Sequence, residues 1–326
     1  MNFKLDKKDK LLLHALDSNV RLSYSQLSKK TGISQETVRY RINNFLSQGI
    51  IQKFLTFINS SKLGFSAYQI MLKLQNVNEE KKKNIVNTLI EIPYVSWVAN
   101  VEGNYDIACI LSIKNQTDLQ RVIDRLYALF GDSIMKKNVS VIISSQFLSR
   151  DYLIGQPRRM IKEPSYAPSK EIAKLDEKDE LLCSLLSENG RYSYVELSSK
   201  MKLSADSVMK RIKKLRKEGI LTGSTILLDN SKIGHLHYKI LLYLNDLSEK
   251  SIGGLLAHIR RNNRVIALMK TLAEWDYEAD IEVESVEQLK EFTMGITSEF
   301  SKIIRDYSFI RIINMPKYSF YQKNNA

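Results

Sequence analysis

Cysteine is nearly missing from this chain. The two that occur in 326 residues, Cys109 and Cys183, lie far apart with no CxxC spacing, which argues against a disulfide framework, a zinc ribbon or a redox pair. Both are expected as buried thiols. Proline is scarce too: of five in all, Pro157, Pro164 and Pro168 crowd into one short segment. No apolar run reaches the roughly 18 residues that a membrane helix needs. The opening MNFKLDKKDK lacks the apolar stretch of a secretion signal, so a cytoplasmic location is expected and no membrane partner. Only four histidines occur, and there is no Gly-rich phosphate loop, GxSxG elbow or HExxH motif. No catalytic residue, cofactor or metal ligand is therefore expected. Acids are outnumbered, 36 against 49 Lys and Arg, for a net charge of +13, a balance that favours polyanionic partners. The excess is uneven, with 26 basic residues against 15 acids in residues 1–174 and 23 against 21 in residues 175–326.

What the chain does have is a second copy of itself. At a shift of about 170 residues, LDKKDKLLLHALDSNVRLSYSQLSKKTGIS from Leu5 aligns without a gap on LDEKDELLCSLLSENGRYSYVELSSKMKLS from Leu175. The register runs on through Val38/Val208, Arg41/Arg211, Gly49/Gly219 and Gly64/Gly234, so one module is present twice. Residues 149–174 lie between the copies, hold the three prolines together with Arg158, Arg159 and Lys162, and read as a linker. As flexible coil it would span roughly 28 Å on average and about 85 Å fully extended, enough for both modules to lie on one duplex.

Each copy opens on three helices. The first is marked by LDxKD and the apolar sets Leu11, Leu12, Ala15, Leu16 and Leu181, Leu182, Leu185, Leu186. The second starts at the capping boxes SYSQ and SYVE, and after TGIS or MKLS a third begins at Ser34 or Ser204, either of which can accept from a first-turn amide. A tight turn between the last two helices describes a helix-turn-helix. At about 100° per residue, Val208, Ile212 and Leu215 share one face of the third helix and the lysines gather opposite; in the first copy Val38, Ile42 and Phe45 take the same face. A solvated helix can show the same lysine face. The capped three-helix unit occurs twice, however, and is followed by IIQKFLTFI or ILTGSTILL, which look like the strands of a small wing. Together these features point to double-stranded DNA. The candidate contacts are Ser34, Thr37, Arg39, Tyr40, Arg41, Asn43 and Asn44 in the first copy, and Ser204, Ser207, Lys210, Arg211, Lys213, Lys214 and Lys217 in the second. Basic side chains would supply the salt-dependent phosphate term and polar ones near the helix start the base contacts.

The rest of each copy alternates as βαββαβ, the order of a ferredoxin-like fold. The fold class expected is thus α+β, two copies of a winged helix-turn-helix followed by a ferredoxin-like domain. The boundaries expected are 1–60 and 61–148, the linker 149–174, then 175–231 and 232–320. LDxKDxxLLxxL, the SYxxL start, VxxRIxxLxxxGII and the loop GNYD together resemble the leucine-responsive regulatory protein (Lrp/AsnC) family, here as a tandem duplication. The resemblance covers nearly the whole chain outside the linker. It implies a DNA-binding transcription regulator whose sensing domains pair sheet to sheet, intramolecularly here and in homo-oligomers. It also implies an effector such as an amino acid, held by the loop that matches Gly103, Asn104, Tyr105 and Asp106. In the second copy AEWDYE replaces that loop and loses its glycine, which puts a second effector site in doubt.

Two further patterns stand out. Asp276, Glu278, Asp280, Glu282 and Glu284 alternate along one strand of the second copy, as a metal site or a cross-strand-paired face would, with His237 and Lys239 as natural partners. The acids are expected against Lys73 and its neighbours in the first sensing domain. His235 and His237 form an HxH without a third ligand, and His14 and His258 read as helix-surface residues. A competing class is a sirohaem-decarboxylase-like enzyme on the same architecture, which would need histidines and arginines lining the inter-domain cleft. A third reading is an architectural DNA-binding protein without sequence preference.

Overall fold

The computed structural model describes residues 3–158 and 164–321; Arg159 and Lys162 of the expected basic linker lie outside them. The first copy runs α1 (Lys7–Ser18), α2 (Tyr24–Thr31), α3 (Gln35–Ser47), β1 (Ile51–Ile58), β2 (Ser66–Leu74), α4 (Glu79–Glu91), β3 (Val95–Glu102), β4 (Ile107–Ile113), α5 (Gln116–Phe130) and β5 (Ile134–Phe147). A short β6 (Ser165–Tyr166) follows. The second copy then gives α6 (Glu177–Glu188), α7 (Tyr194–Met201), α8 (Ala205–Lys217), β7 (Leu221–Leu228), β8 (Leu236–Leu244), α9 (Glu249–Arg261), β9 (Val265–Leu272), β10 (Tyr277–Val283), α10 (Val286–Glu299) and β11 (Ile304–Tyr318). The helix starts follow local chemistry. Ser23 with Gln26, and Ser193 with Glu196, close the two expected capping boxes, each satisfying two amides that a helix start leaves unpaired.

The wings differ from expectation. A single strand follows each third helix, and it pairs with its counterpart in the other copy: β1 runs antiparallel to β7, with Phe54 opposite Ile226 and Thr56 opposite Ser224. The copies also complete each other's helical cores. Ile226 and Leu228 pack into the first helix-turn-helix, and Ile58 and Leu63 into the second. A lone strand cannot satisfy its own backbone groups, so the copy supplies the partner.

The ferredoxin-like halves join as well. Within the copies the strands order β3-β4-β2-β5 and β11-β8-β10-β9, and the pairs β3–β11 and β5–β9 link them into a closed antiparallel ring of eight. Alternate residues face outward under α4, α5, α9 and α10 in two separate cores. The others face inward, where Met71, Trp97, Ala99, Leu241 and Ile310 form a core drawn from both copies. Closure removes the exposed sheet edges that otherwise invite aggregation.

Residues 149–158 and 164–174 of the linker are not the flexible coil expected. Leu153 is buried in the first helical core, Ser165–Tyr166 adds to β5, and Ala173 N donates to Lys62 O. Arg150 is only 8% exposed. The described parts of the linker are thus anchored by packing, strand pairing and ion pairs that composition alone does not reveal.

Candidate nucleic-acid interface

On α3 and α8 the two faces separate as the spacing predicts. Val38, Ile42 and Phe45, and Val208, Ile212 and Leu215, are buried, while Arg39, Tyr40, Asn43, Lys210, Lys213 and Lys217 are exposed. Ser34 and Ser204 cap the two helices, accepting from Thr37 N at 3.1 Å and Ser207 N at 3.2 Å. Thr37 and Asn44 are half-buried at the edge of the exposed face. Three expected contacts also make intramolecular ion pairs. Arg41 Nη1 lies 2.7 Å from Asp6 and 2.6 Å from Asp9; Arg211 Nη1 repeats this at 2.7 Å from Asp176 and 2.6 Å from Asp179. Both guanidiniums therefore hold the third helix to the acidic start of the first. Lys214 Nζ adds a bond to Asp179 at 2.9 Å, and these acids raise its affinity for its proton.

Sequence reading overlooked the contact that sets how the two units sit. Arg21 donates to the carbonyls of Gly190 and Tyr192 at 3.1 and 2.9 Å, and its guanidinium lies 4.9 Å from the Tyr194 ring. Arg191 returns the arrangement, donating to Val20 O and Leu22 O and lying 5.2 Å from the Tyr24 ring. Each arginine thus reaches the turn between the first two helices of the other copy. The pairing Arg21/Arg191 was legible in the repeat, but both residues look like ordinary surface cations until the copies are docked.

In the ferredoxin-like half of the first copy, the loop after β3 is packed at Tyr105 and Asp106. Gly103 takes φ +120°, and a Cβ there would meet Phe309 O of β11 at 3.2 Å. Tyr105 is buried, and burial pushes its phenol up to about 12. Asp106 Oδ2 accepts from Leu74 N at 2.8 Å while Oδ1 accepts from Lys73 at 3.2 Å; Gly103 and Asn104 are exposed. Asp276 repeats the first bond on Leu244 N at 2.8 Å, so this aspartate clamps the loop to its strand in both copies. Trp275 fills the second loop and donates to Glu278 at 2.9 Å.

The acidic strand faces into the ring, not toward Lys73. Lys239 Nζ lies 2.7 Å from Glu278 and 2.8 Å from Asp280. Arg150 from the linker donates to both oxygens of Glu282, at 2.9 and 3.0 Å, and to Asp17 of α1 at 2.6 Å. Burial alone would push Asp280 and Glu282 up, but Lys239 and Arg150 override it and hold both carboxyls at about 2. Gln69 of the first copy also donates to Glu278, at 3.1 Å. The acids therefore do tie the copies together, through partners other than the one expected. His14, expected on the surface, is half-buried with Nε2 2.9 Å from Asp151. Between this charged end of the ring and the β1–β7 ribbon lies a cavity of about 440 Å³. Two histidines, His14 and His237, and Arg150 line it.

Two helix-turn-helix units with exposed third helices, carried on a closed ring of two ferredoxin-like halves, define a DNA-binding regulator. Residues 5–52 match the winged helix-turn-helix DNA-binding family, and residues 175–216 the AsnC-type helix-turn-helix domain. One uncharacterised HTH-type transcriptional regulator of Pyrococcus horikoshii is 30% identical over 141 residues, 43% of this chain and 87% of the relative. Another, of Pyrococcus furiosus, is 35% identical over 130 residues, 39% of this chain and 86% of the relative. The chain belongs to the Lrp/AsnC family of transcriptional regulators. The relatives are about one module long, in keeping with a duplication. The whole chain also resembles in fold the crystal structure of the siroheme decarboxylase NirDL, with TM-score 0.58 at 15% identity over 97% of this chain and 94% of that one. Among the described residues no helix is long and apolar enough to cross a membrane.

Proposed function

We propose that one chain acts as a built-in heterodimer, binding in the cytoplasm to asymmetric DNA sites that its two unlike third helices read differently. The observation that carries this is the reciprocal lock of Arg21 and Arg191 beneath exposed faces that do not match. On α8, Lys210, Lys213 and Lys217 act as a phosphate clamp, with Ser204 and Ser207 presenting a helix start to the backbone. On α3, Thr37, Tyr40, Asn43 and Asn44 face the bases and Arg39 the backbone. Arg41, Arg211 and Lys214 act mainly by positioning these helices. Footprinting of selected sites tests the reading: two dissimilar half-sites are expected under one chain, and two identical ones would sink it.

Regulation by a small effector, and assembly of several chains, belong to the same proposal. For the effector contact at the Gly103, Asn104, Tyr105 and Asp106 loop, the support is an open basin of about 310 Å³ beside Lys73, Asn78 and Lys82, which Asp106 alone of the four lines. The enzyme reading has in its favour the whole-chain fold likeness to the siroheme decarboxylase and the histidines and arginine that line the cavity. Against it, Arg150 and Lys239 are already bound by Asp17, Glu282, Glu278 and Asp280, which leaves them poorly placed to receive a polycarboxylate tetrapyrrole. Purification of a colourless protein that shifts DNA is expected; a porphyrin absorption band without a shift would favour the enzyme.

A further inference from the structure

The cavity between the ribbon and the ring carries an inference of its own. Its volume, about 440 Å³, falls in the range of small-molecule sites. Closed sheets of about eight strands are also the size that either fills with side chains or holds one small ligand. Part of the wall is apolar, from Trp97, Ile110, Phe147 and Met269; part is polar, from His237, Lys239 and Asp280.

Behind the polar part stands a charged network with more carboxylates than Lys and Arg, of which Asp17 and Asp280 reach the cavity wall beside Lys30, Arg150 and Lys239. Lys239 and Arg150 face four carboxylates in it, Asp17, Glu278, Asp280 and Glu282, and His237 stands beside Asp280. Uncompensated buried charge is costly, so such a network favours an added cation. His237 supplies a second and independent sign. It is 6% exposed and lines the cavity, yet neither ring nitrogen has a hydrogen-bond partner among the described residues. Its Nε2 lies 3.8 Å from Asp280, beyond hydrogen-bonding range. Buried polar atoms are nearly always paired, and an orphaned imidazole beside a cavity calls for a ligand group.

We propose that this cavity binds a small organic ammonium with an apolar body, its amine toward Asp280 and His237 and its body against Trp97 and Met269. The site is separate from the Gly103–Asp106 loop. Phe57, Gly223 and Thr225 of the ribbon form part of its wall, so occupancy bears on the strands that join the two helix-turn-helix units. A ligand that prefers one setting of that ribbon changes DNA affinity by its differential affinity for the two settings. Only this consequence rests on the regulator reading.

The test uses the full chain and three probes sharing one ring: tryptamine, the neutral alcohol tryptophol and the anion indole-3-acetate. Calorimetry without DNA is expected to show one saturable tryptamine site per chain, tryptophol at least tenfold weaker and indole-3-acetate silent. Thr222→Phe, which fills the cavity from the half-exposed strand β7, should abolish binding; His237→Leu should weaken it tenfold or more. If His237→Leu loses its cooperative melt, Thr222→Phe decides alone. No saturable tryptamine binding, equal binding of the three probes, or an unaffected Thr222→Phe variant overturns the site. DNA shifts with and without tryptamine then separate the readings. Saturation that leaves DNA affinity unchanged upholds the site and sinks its regulatory consequence, and a chain that binds tryptamine but no DNA sinks the regulator reading alone.

Discussion

At Arg150 one guanidinium neutralises carboxylates from two distant parts of the chain, Asp17 and Glu282. Removing one partner of a buried pair strands the other, at a cost of about 3–5 kcal/mol. Arg150→Met should lose that much by chemical denaturation at pH 7 and less near pH 4, where a stranded Glu282 can take up a proton. A penalty independent of pH would mean that packing rather than charge is responsible. In the intact protein the acids act in the opposite sense. Glu282 and Asp280 sit at about 2 against ordinary values of 4.5 and 3.8. A carboxyl depressed by folding stabilises fully above its unfolded value and loses that contribution as pH falls through its folded one. The denaturation midpoint should therefore be level above about pH 5 and fall between roughly 4.5 and 2, and Asp280→Asn should flatten part of that fall. On the DNA face, changing Lys210, Lys213 and Lys217 to Ala should weaken binding to every sequence and flatten the salt slope by about 0.9 per lysine. Tyr40→Ala or Asn44→Ala should instead relax preference at single positions, by about 1–3 kcal/mol of discrimination. Binding titrations across salt and sequence distinguish the two.

Among the elements, the crossed arginines and the β1–β7 ribbon decide whether two helix-turn-helix units act as one. The double change Arg21→Ala and Arg191→Ala removes four carbonyl contacts between the units and leaves α3 and α8 intact. Affinity for a complete site should drop toward that for a single half-site, while half-site affinity stays the same. Equal losses on both would mean that the arginines only stabilise the helices. This is also the level at which the sequence becomes hard to read. Helix positions, caps and inward faces were legible because they depend on neighbours three or four residues away, as Ser23 with Gln26 and Ser204 with Ser207 show. The alternation of Glu278, Asp280 and Glu282 was legible too, together with Lys239 as partner, but not the side of the sheet that was buried. The shared ribbon, the closure of the ring and the docking of Arg150 depend on pairings across more than a hundred residues, which local pattern does not encode. For the same reason Arg41 and Arg211 looked free for DNA: the acids that bind them lie 35 and 32 residues earlier in each copy.

For the molecule as a whole, duplication within one chain frees the two halves from symmetry. A homodimer must present the same residues twice. Here the inner contacts Arg21/Arg191, Asp106/Asp276 and Arg41/Arg211 repeat, while the outer faces diverge, polar and aromatic on α3 and lysine-rich on α8. Under the proposed function, keeping the docking while changing the exposed faces would let one chain pair a base-reading half with a phosphate-clamping half at fixed spacing. In vitro selection of bound DNA from a random pool, with the smallest protected unit then mapped by footprinting, tests this most directly. The account predicts a non-palindromic unit with sequence information concentrated in one half and a salt-sensitive, sequence-tolerant half beside it. Two identical half-sites within that unit, or no enrichment at all, would contradict it.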